Sequence, residues 1–426
     1  MTRELLVAAS AWTARILQSG VQLVVMHMFV RLLGAERYSV VVVLQSLVLW
    51  FALTEFGLGP AVQNLVSRGR SRGHSEAGLV AGALGLGCLG LLVSIAALVP
   101  LADPVGSWLL RRFELGPGTA GRLVLLVGFA SAGAAIAGIS YRILYATQKG
   151  YLTHAYQAGG SLVTLLWAVL LIRAGEPRLP LAVAAVTIPP ALSAVAATVH
   201  VVAAEGWHWP KWEVLRELAR DASGFVVFAV VASTVLQVDY IVMSQVLVAR
   251  DIIEYTVLNR VFMLAFFVYN AALMALWPTV AECYHSRRLV EMRSYTKRYV
   301  AGGLSLIGVT TVGVLVAAPL ITSVLAPGVG ISLRPMIIVL FGFYICLRVW
   351  SDTFSMLLQS ADRVRPLVGI VLLQGVLSVG LQFILASRLG VTGIVLGLAL
   401  SFCLTSAWFG PYQYGVMLRA DRRTAG

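Results

Sequence analysis

Residues Leu53–Asn64 read LTEFGLGPAVQN. A carboxylate, Glu55, is followed by two glycines and a proline. The run VVVVLQSLVLWFAL precedes it and AVQNLV continues it. A charge and then a helix breaker stand inside what otherwise reads as a membrane span. The fold depends on whether those flanks are spans, and the function depends on why the span is interrupted.

Composition settles the first point. The chain has 426 residues, 59% hydrophobic and 12% charged, with mean hydropathy +0.87, against about 25% charged in soluble domains. Apolar runs of about 20 residues recur along it, each long enough to cross a bilayer as a helix. Backbone groups in lipid must be satisfied within the segment, so the fold class is all-α and polytopic. The pattern predicts twelve spans, at roughly 5–31, 38–65, 77–102, 121–148, 151–173, 180–204, 222–248, 253–284, 299–326, 334–361, 364–386 and 390–417. The first is interrupted at Arg15 and is too long for a cleaved signal peptide, so it counts as structure.

Basic residues give the orientation. With both ends in the cytoplasm, the inner segments hold 18 of the 32 Lys and Arg, the outer loops 10, and four lie inside spans. The net charge of +13 therefore reads as topology and contact with anionic membrane lipids, not nucleic-acid binding. Cys88, Cys283, Cys346 and Cys403 show no ligand spacing, which points to neither a disulfide framework nor a metal site.

The chain repeats itself. Glu36-Arg37-Tyr38-Ser39-Val40 follows the first expected span, and Ile253-Glu254-Tyr255-Thr256-Val257 follows the seventh. Pro60 lies 22 residues beyond Tyr38, and Pro278 lies 23 beyond Tyr255. An offset near half the length implies a six-plus-six duplication. The expected domains are an N-terminal six-helix lobe over 1–204, a cytoplasmic amphipathic connector over 205–221, and a C-terminal lobe over 222–426. In the connector Trp212, Leu215 and Leu218 recur every three residues among charged neighbours. Duplicated bundles are typical of transporters, whose broken helices mark the pathway. Pro60 and Pro278 would bend equivalent helices and free backbone carbonyls.

Seven charges lie inside the expected spans: Arg15, Glu55, Arg142, Asp239, Arg260, Arg348 and Asp352. Each costs about 2.5–3.5 kcal/mol to insert and so faces a partner or water. Arg142 and Arg260 lie about six residues from their expected span ends, close enough to snorkel. In the tenth span Tyr344, Arg348, Ser351, Asp352, Ser355 and Gln359 recur at steps of three and four, a polar stripe on one helix face. Shorter stripes run through Arg15, Gln18, Ser19 and Gln22, and through Ser233, Gln237, Tyr240 and Ser244. Such stripes either glue helices together or line a hydrated cavity, and Arg348 and Asp352 could neutralise each other at i,i+4.

Residues 31–70, RLLGAERYSVVVVLQSLVLWFALTEFGLGPAVQNLVSRGR, resemble the first-to-second-span region of the Wzx-type lipid-linked oligosaccharide translocases. Their superfamily also holds the lipid II flippases and the multidrug and toxin extrusion antiporters. LGAERYS resembles the family's Leu-Gly-x-x-x-Tyr-Gly turn, with Ser39 in place of the second glycine. EFGLG is similar to its Asp-x-Gly-Leu-Gly, with Glu55 keeping the carboxylate. VDYIVMSQVLVARDIIEYTVLNR and LWPTVAE resemble its seventh-to-eighth-span region, without the usual turn glycines.

The resemblance implies two six-helix lobes around a central cavity, alternating access in the bacterial inner membrane, and a polyprenyl-pyrophosphate-linked oligosaccharide as substrate. It makes Arg15, Arg142, Arg260 and Arg348 headgroup contacts. Glu55, Asp239 and Asp352 become charge partners or coupling sites for H+ or Na+. A glycan polymerase and glycosyltransferases would be functional partners. A cation-coupled drug antiporter of the same fold is the alternative, but it would need an anionic cavity, whereas here four arginines meet three carboxylates. A membrane glycan polymerase or ligase would need a large outer loop, and the longest, near Asp103–Gly121, is short. No catalytic constellation or cofactor site stands out, so the expectation is not an enzyme.

Overall fold

The computed structural model describes residues 3–71, 77–175, 178–206, 210, 212–361 and 365–423. Among them the regular elements are helices. They run α1 (Arg3–Phe51), a 3-10 turn (Ala52–Glu55), α2 (Leu58–Ser71), α3 (Ala77–Leu109), α4 (Thr119–Ala146), α5 (Gly150–Ala174), α6 (Leu179–Glu205) and α7 (Trp212–Val246). They continue with α8 (Ala249–His285), α9 (Leu289–Leu325), α10 (Pro335–Ser360), α11 (Arg365–Leu389), α12 (Val391–Leu404) and α13 (Ser406–Arg423).

Ten stretches are long and apolar enough to cross a membrane. One of them, Ser10–Glu55, has 46 residues, about 70 Å of helix and more than twice a bilayer core. It is broken at Gly34, with φ 75 and ψ 174, a region that only glycine enters. Two crossings joined at Gly34 account for its length. The 35-residue α7 has the length for another, so the architecture is consistent with twelve crossings. α12 and α13 form one stretch, Val391–Arg419.

The chain divides into two compact units, Met1–Ser233 and Thr234–Gly426. At the two positions matched in sequence, each unit has a hydroxyl-to-carbonyl bond of the kind serines and threonines commonly make inside helices. Ser39 Oγ donates to the Ala35 carbonyl (2.8 Å), and Thr256 Oγ1 donates to the Ile252 carbonyl (2.7 Å). The neighbouring Tyr38 and Tyr255 are both fully buried.

The interruption at LTEFGLGP is a true helix break, placed slightly earlier than the proline. Phe56 (φ 48) and Gly57 (φ 73) are both left-handed, and α2 begins at Leu58. Pro60 therefore sits in the first turn of α2, where its missing N–H costs nothing. Left-handed Phe56 is an uncommon conformation for a bulky residue. Its ring lies against Gly90 of α3, where an added Cβ would come within 2.8 Å. The second unit has no matching break, because α8 stays helical through position 278. The side chain of Pro278 lies outside those described.

Residues 212–221 of the expected connector are the first turns of α7. Their amphipathic pattern serves packing: Trp212 is 75% exposed, whereas Leu218 and Ala222 join the core of the first unit beside Val80, Ala83, Ile139 and Val201. Gly82 lets α7 approach, since a Cβ there would meet Leu218 at 3.2 Å and Pro210 at 3.3 Å.

The last crossing is broken at Thr405, with φ −128 and ψ −93. Pro411 lies inside α13, so the Ala407 carbonyl lacks its i+4 donor. Trp350 Nε1 of α10 donates to that carbonyl instead, at 2.8 Å. A partly buried backbone acceptor is satisfied by a side chain from another helix.

Candidate functional site

The seven intramembrane charges fall into two sets, one within each unit. In the first unit, Glu55 and Arg142 converge on Gly59. The point a Cβ would occupy there is 2.9 Å from Glu55 Oε2 and 3.2 Å from Arg142 Cγ. Glycine at 59 leaves room for a carboxylate and an arginine stem side by side, 87 residues apart in sequence. Arg142 and Arg15 also lie close enough to act electrostatically on the Tyr145 hydroxyl. Both arginines are exposed on the protein, and guanidinium groups are costly in hydrocarbon, so they favour a water-filled face. Arg142 is four residues from the end of α4, as a snorkelling residue would be.

In the second unit, Asp239 (α7), Arg260 (α8), and Arg348 and Asp352 (α10) form the other set. Asp239 accepts a short hydrogen bond from the Tyr255 hydroxyl. Tyr240 stands edge-on to Tyr255, with centroids 5.6 Å apart. Asn259 Nδ2 donates to the Tyr240 hydroxyl at 3.4 Å, and the Arg260 charge also acts on that hydroxyl. Arg260 lies further from the start of its helix than the sequence suggests. α8 starts at Ala249, not near 253, so Arg260 is 11 residues in, about 17 Å.

Arg348 is the best-defined cation. Its guanidinium carbon lies 4.4 Å from the centre of the Phe266 ring, a cation–π arrangement. Nη1 is 3.9 Å from Met263 Sδ, and Nη2 is 3.9 Å from Asp352 Oδ2, a charge contact too long for a hydrogen bond. The Tyr344 hydroxyl is within its reach. The Arg348 side chain is 15% exposed and that of Asp352 38%. The stripe on α10 is thus only partly open. Asp352, Ser355 and Gln359 are accessible, while Tyr344 and Ser351 are packed inside. Among the described residues Ser351 Oγ has no hydrogen-bond partner. Of the seventh-span stripe, the side chains of Ser233 and Gln237 lie outside those described.

A ladder of rings supports this set. Tyr255 packs on Phe341 (5.5 Å), Phe341 stacks with Phe262 (5.2 Å), and Tyr344 meets Phe341 and Phe402 (both 5.8 Å). Sequence reasoning missed Tyr255 as a partner of Asp239, Phe266 as the bed of Arg348, and the Tyr145–His154 pair. Tyr255 was visible only as a repeat marker, and Phe266 looks like any core aromatic. Among the described residues no group of three or more His, Cys, Asp or Glu could hold a metal ion.

The two sets combine guanidinium groups, carboxylates, phenols and aromatic faces inside a helical membrane bundle. That chemistry suits an anionic head carrying polar rings. No family model matches the chain. Three curated relatives match nearly its full length. "Putative O-antigen export protein" of Yersinia pseudotuberculosis is 31% identical over 416 residues, 96% of this chain and 95% of that one. "Putative O-antigen transporter" of Salmonella typhi is 32% identical over 419 residues, covering 97% and 96%. A protein of the same name from Salmonella typhimurium is 29% identical over 429 residues.

Among solved structures, the lipid II flippase MurJ in an inward closed conformation has a TM-score of 0.74 at 12% identity, covering 96% of this chain and 87% of that one. An inward-facing multidrug resistance MATE family transporter of the MOP superfamily has a TM-score of 0.73 at 12% identity, covering 97% and 99%. These structures share the fold. With more than 30% identity over almost the whole of both chains, this protein belongs to the O-antigen transporter family, built on the fold of the MOP superfamily.

Proposed function

We propose that the protein is a flippase. It moves a polyprenyl-pyrophosphate-linked oligosaccharide from the inner to the outer leaflet for surface polysaccharide synthesis, by alternating access. Nearly full-length identity to O-antigen transporters supports the substrate class. The observation that carries the reading is the pair of arginine-bearing sets inside the spans, each bordered by tyrosines. Arginine forks match pyrophosphate oxygens, phenols and amides match sugar hydroxyls, and the prenyl tail can stay in lipid. Arg15, Arg142, Arg260 and Arg348 are the headgroup contacts. Glu55, Asp239 and Asp352 are charge partners of those arginines or coupling sites for H+ or Na+. The membrane is the bacterial inner membrane with both termini cytoplasmic, as the Lys and Arg bias favours. Glycosyltransferases deliver the substrate and a polymerase consumes it.

Deleting the gene tests the reading. Lipid-linked oligosaccharide should accumulate at the inner leaflet and one surface polysaccharide should vanish, with drug sensitivity unchanged. Loss of dye and drug efflux while the glycan persists would replace the flippase with a cation-coupled drug antiporter.

A further inference from the structure

The first unit contains a second feature that the arginine assignments leave unused. Tyr145, one residue from the end of α4, and His154, in the second turn of α5, meet across a tight corner. The Tyr145 hydroxyl and His154 Nε2 are hydrogen-bonded at 3.2 Å. Their rings are edge-on, with centroids 5.6 Å apart and planes at 76°. The corner is rigidly closed by Thr147 N to the Ile143 carbonyl (2.8 Å), Gln148 N to the Tyr145 carbonyl (3.0 Å) and Lys149 N to the Leu144 carbonyl (2.7 Å). His154 is 6% exposed, whereas Tyr145 is half-buried.

Arg15 and Arg142 both act on that hydroxyl, and Arg15 acts on the imidazole. Lys149 adds a third cation at the corner. The corner closes the inner end of α4 and α5 in the orientation set by the basic residues.

We propose that this corner is a loading subsite in which Tyr145, held by His154, receives the first sugar of the lipid-linked glycan entering from the inner leaflet, beside the arginines that take its pyrophosphate. The inference rests on the flippase reading and adds a residue and a step to it. A phenol has one donor and two acceptor sites. One is used by the imidazole, which fixes the hydroxyl's direction, and the rest serve a ligand that enters the field of Arg15 and Arg142. A charged phospholipid head would need only the arginines. A sugar on a pyrophosphate also uses a ring face for its C–H surface and a hydroxyl for its oxygens. His154 is too buried to touch the ligand and is a positioning residue.

The test uses the full-length protein in phosphatidylcholine nanodiscs and proteoliposomes. Three ligands are titrated: the polyprenyl-pyrophosphate-linked glycan, polyprenyl phosphate without glycan, and phosphatidylglycerol. Tyr145→Phe removes only the hydroxyl, His154→Ala removes its support, and His154→Gln keeps a hydrogen-bonding group. For the linked glycan, Tyr145→Phe and His154→Ala should raise the half-saturating concentration about fivefold, the weight of one hydrogen bond between neutral groups. The maximal flipping rate should hold and His154→Gln should restore binding. Binding of the two glycan-free lipids should not change.

Unchanged half-saturation in Tyr145→Phe overturns the proposal. So does a loss confined to His154→Ala and matched by a lower melting temperature, which would make the pair a structural clasp. Equal effects on either glycan-free lipid would make the corner a general anionic-lipid site and also overturn it. A wild-type protein that neither binds nor flips the linked glycan refutes the flippase reading itself.

Discussion

Arg348 offers the sharpest test, because its surroundings separate a transport role from a structural one. At 3.9 Å from Asp352, an effective dielectric constant near 20 gives a ceiling of about 4 kcal/mol for the pair. The Asp352 side chain is 38% exposed, and solvent screening cuts that towards ~1 kcal/mol. The Phe266 contact at 4.4 Å adds roughly 0.5–2 kcal/mol. Arg348→Ala should therefore cost stability on the order of 1–3 kcal/mol, and it leaves Asp352 partly in solvent instead of stranding a buried charge.

Loss of two charge-assisted bonds to a pyrophosphate is worth at least ~3 kcal/mol, more than a hundredfold in binding. Arg348→Ala should thus sit in the membrane at near-normal level and fail to flip glycan. Arg348→Lys keeps charge without the fork and should retain partial transport. Membrane abundance and flipping rate are measured side by side, with the double change Arg348→Ala, Asp352→Ala. An abundant and active double mutant would end the substrate-site assignment of Arg348 and leave it a structural partner of Asp352.

Other outcomes follow from packing and topology. Trp350→Phe should leave the Ala407 carbonyl without a donor, costing about 1–3 kcal/mol; adding Pro411→Ala supplies an N–H and should recover the loss in a thermal melt, and no recovery would refute the substitution of one donor for the other. Gly397→Ala should lower yield and melting temperature strongly, because its Cβ would lie 2.7 Å from Gln382 N, a backbone atom of α11, and overpacking costs about 1–3 kcal/mol or more; unaltered stability would contradict the close approach of α11 and α12. Reporter tags after Arg72, within 285–298 and at the C-terminus should read cytoplasmic, and tags near Glu114 and Gly330 should read external; an external tag after Arg72 would overturn the twelve-crossing topology.

Much of the fold was legible because bilayer length and hydropathy leave few choices. The repeat was read from the letters around Tyr38 and Tyr255, and both tyrosines are buried. Boundaries were harder to read. Arg250 and Asp251 look like loop residues, so α8 was expected to begin later than it does. Pro60 drew attention to the break, yet a proline in a first turn only follows the left-handed pair Phe56–Gly57.

The charged residues could be named one by one, since each is expensive in a span. Their grouping could not, because Glu55 meets Arg142 only through helices that fold together around Gly59. Nor could Phe266 be told from its neighbours, since a cation–π bed has no sequence signature.

The continuity of α7 has a consequence for the order of events during synthesis. Leu218 and Ala222 complete the core of the first unit, yet they belong to the helix that runs on past Ser233 into the second. At about 5–20 residues per second, the ribosome needs about one to three seconds after Gly206 to make them. Until then the groove over Gly82 stays unfilled, so the first unit cannot finish folding before the seventh crossing has begun to emerge. A chain terminated after α6 would lack part of its own core and be a substrate for membrane proteases, while one terminated just beyond Ala222 would have gained Leu218 and Ala222.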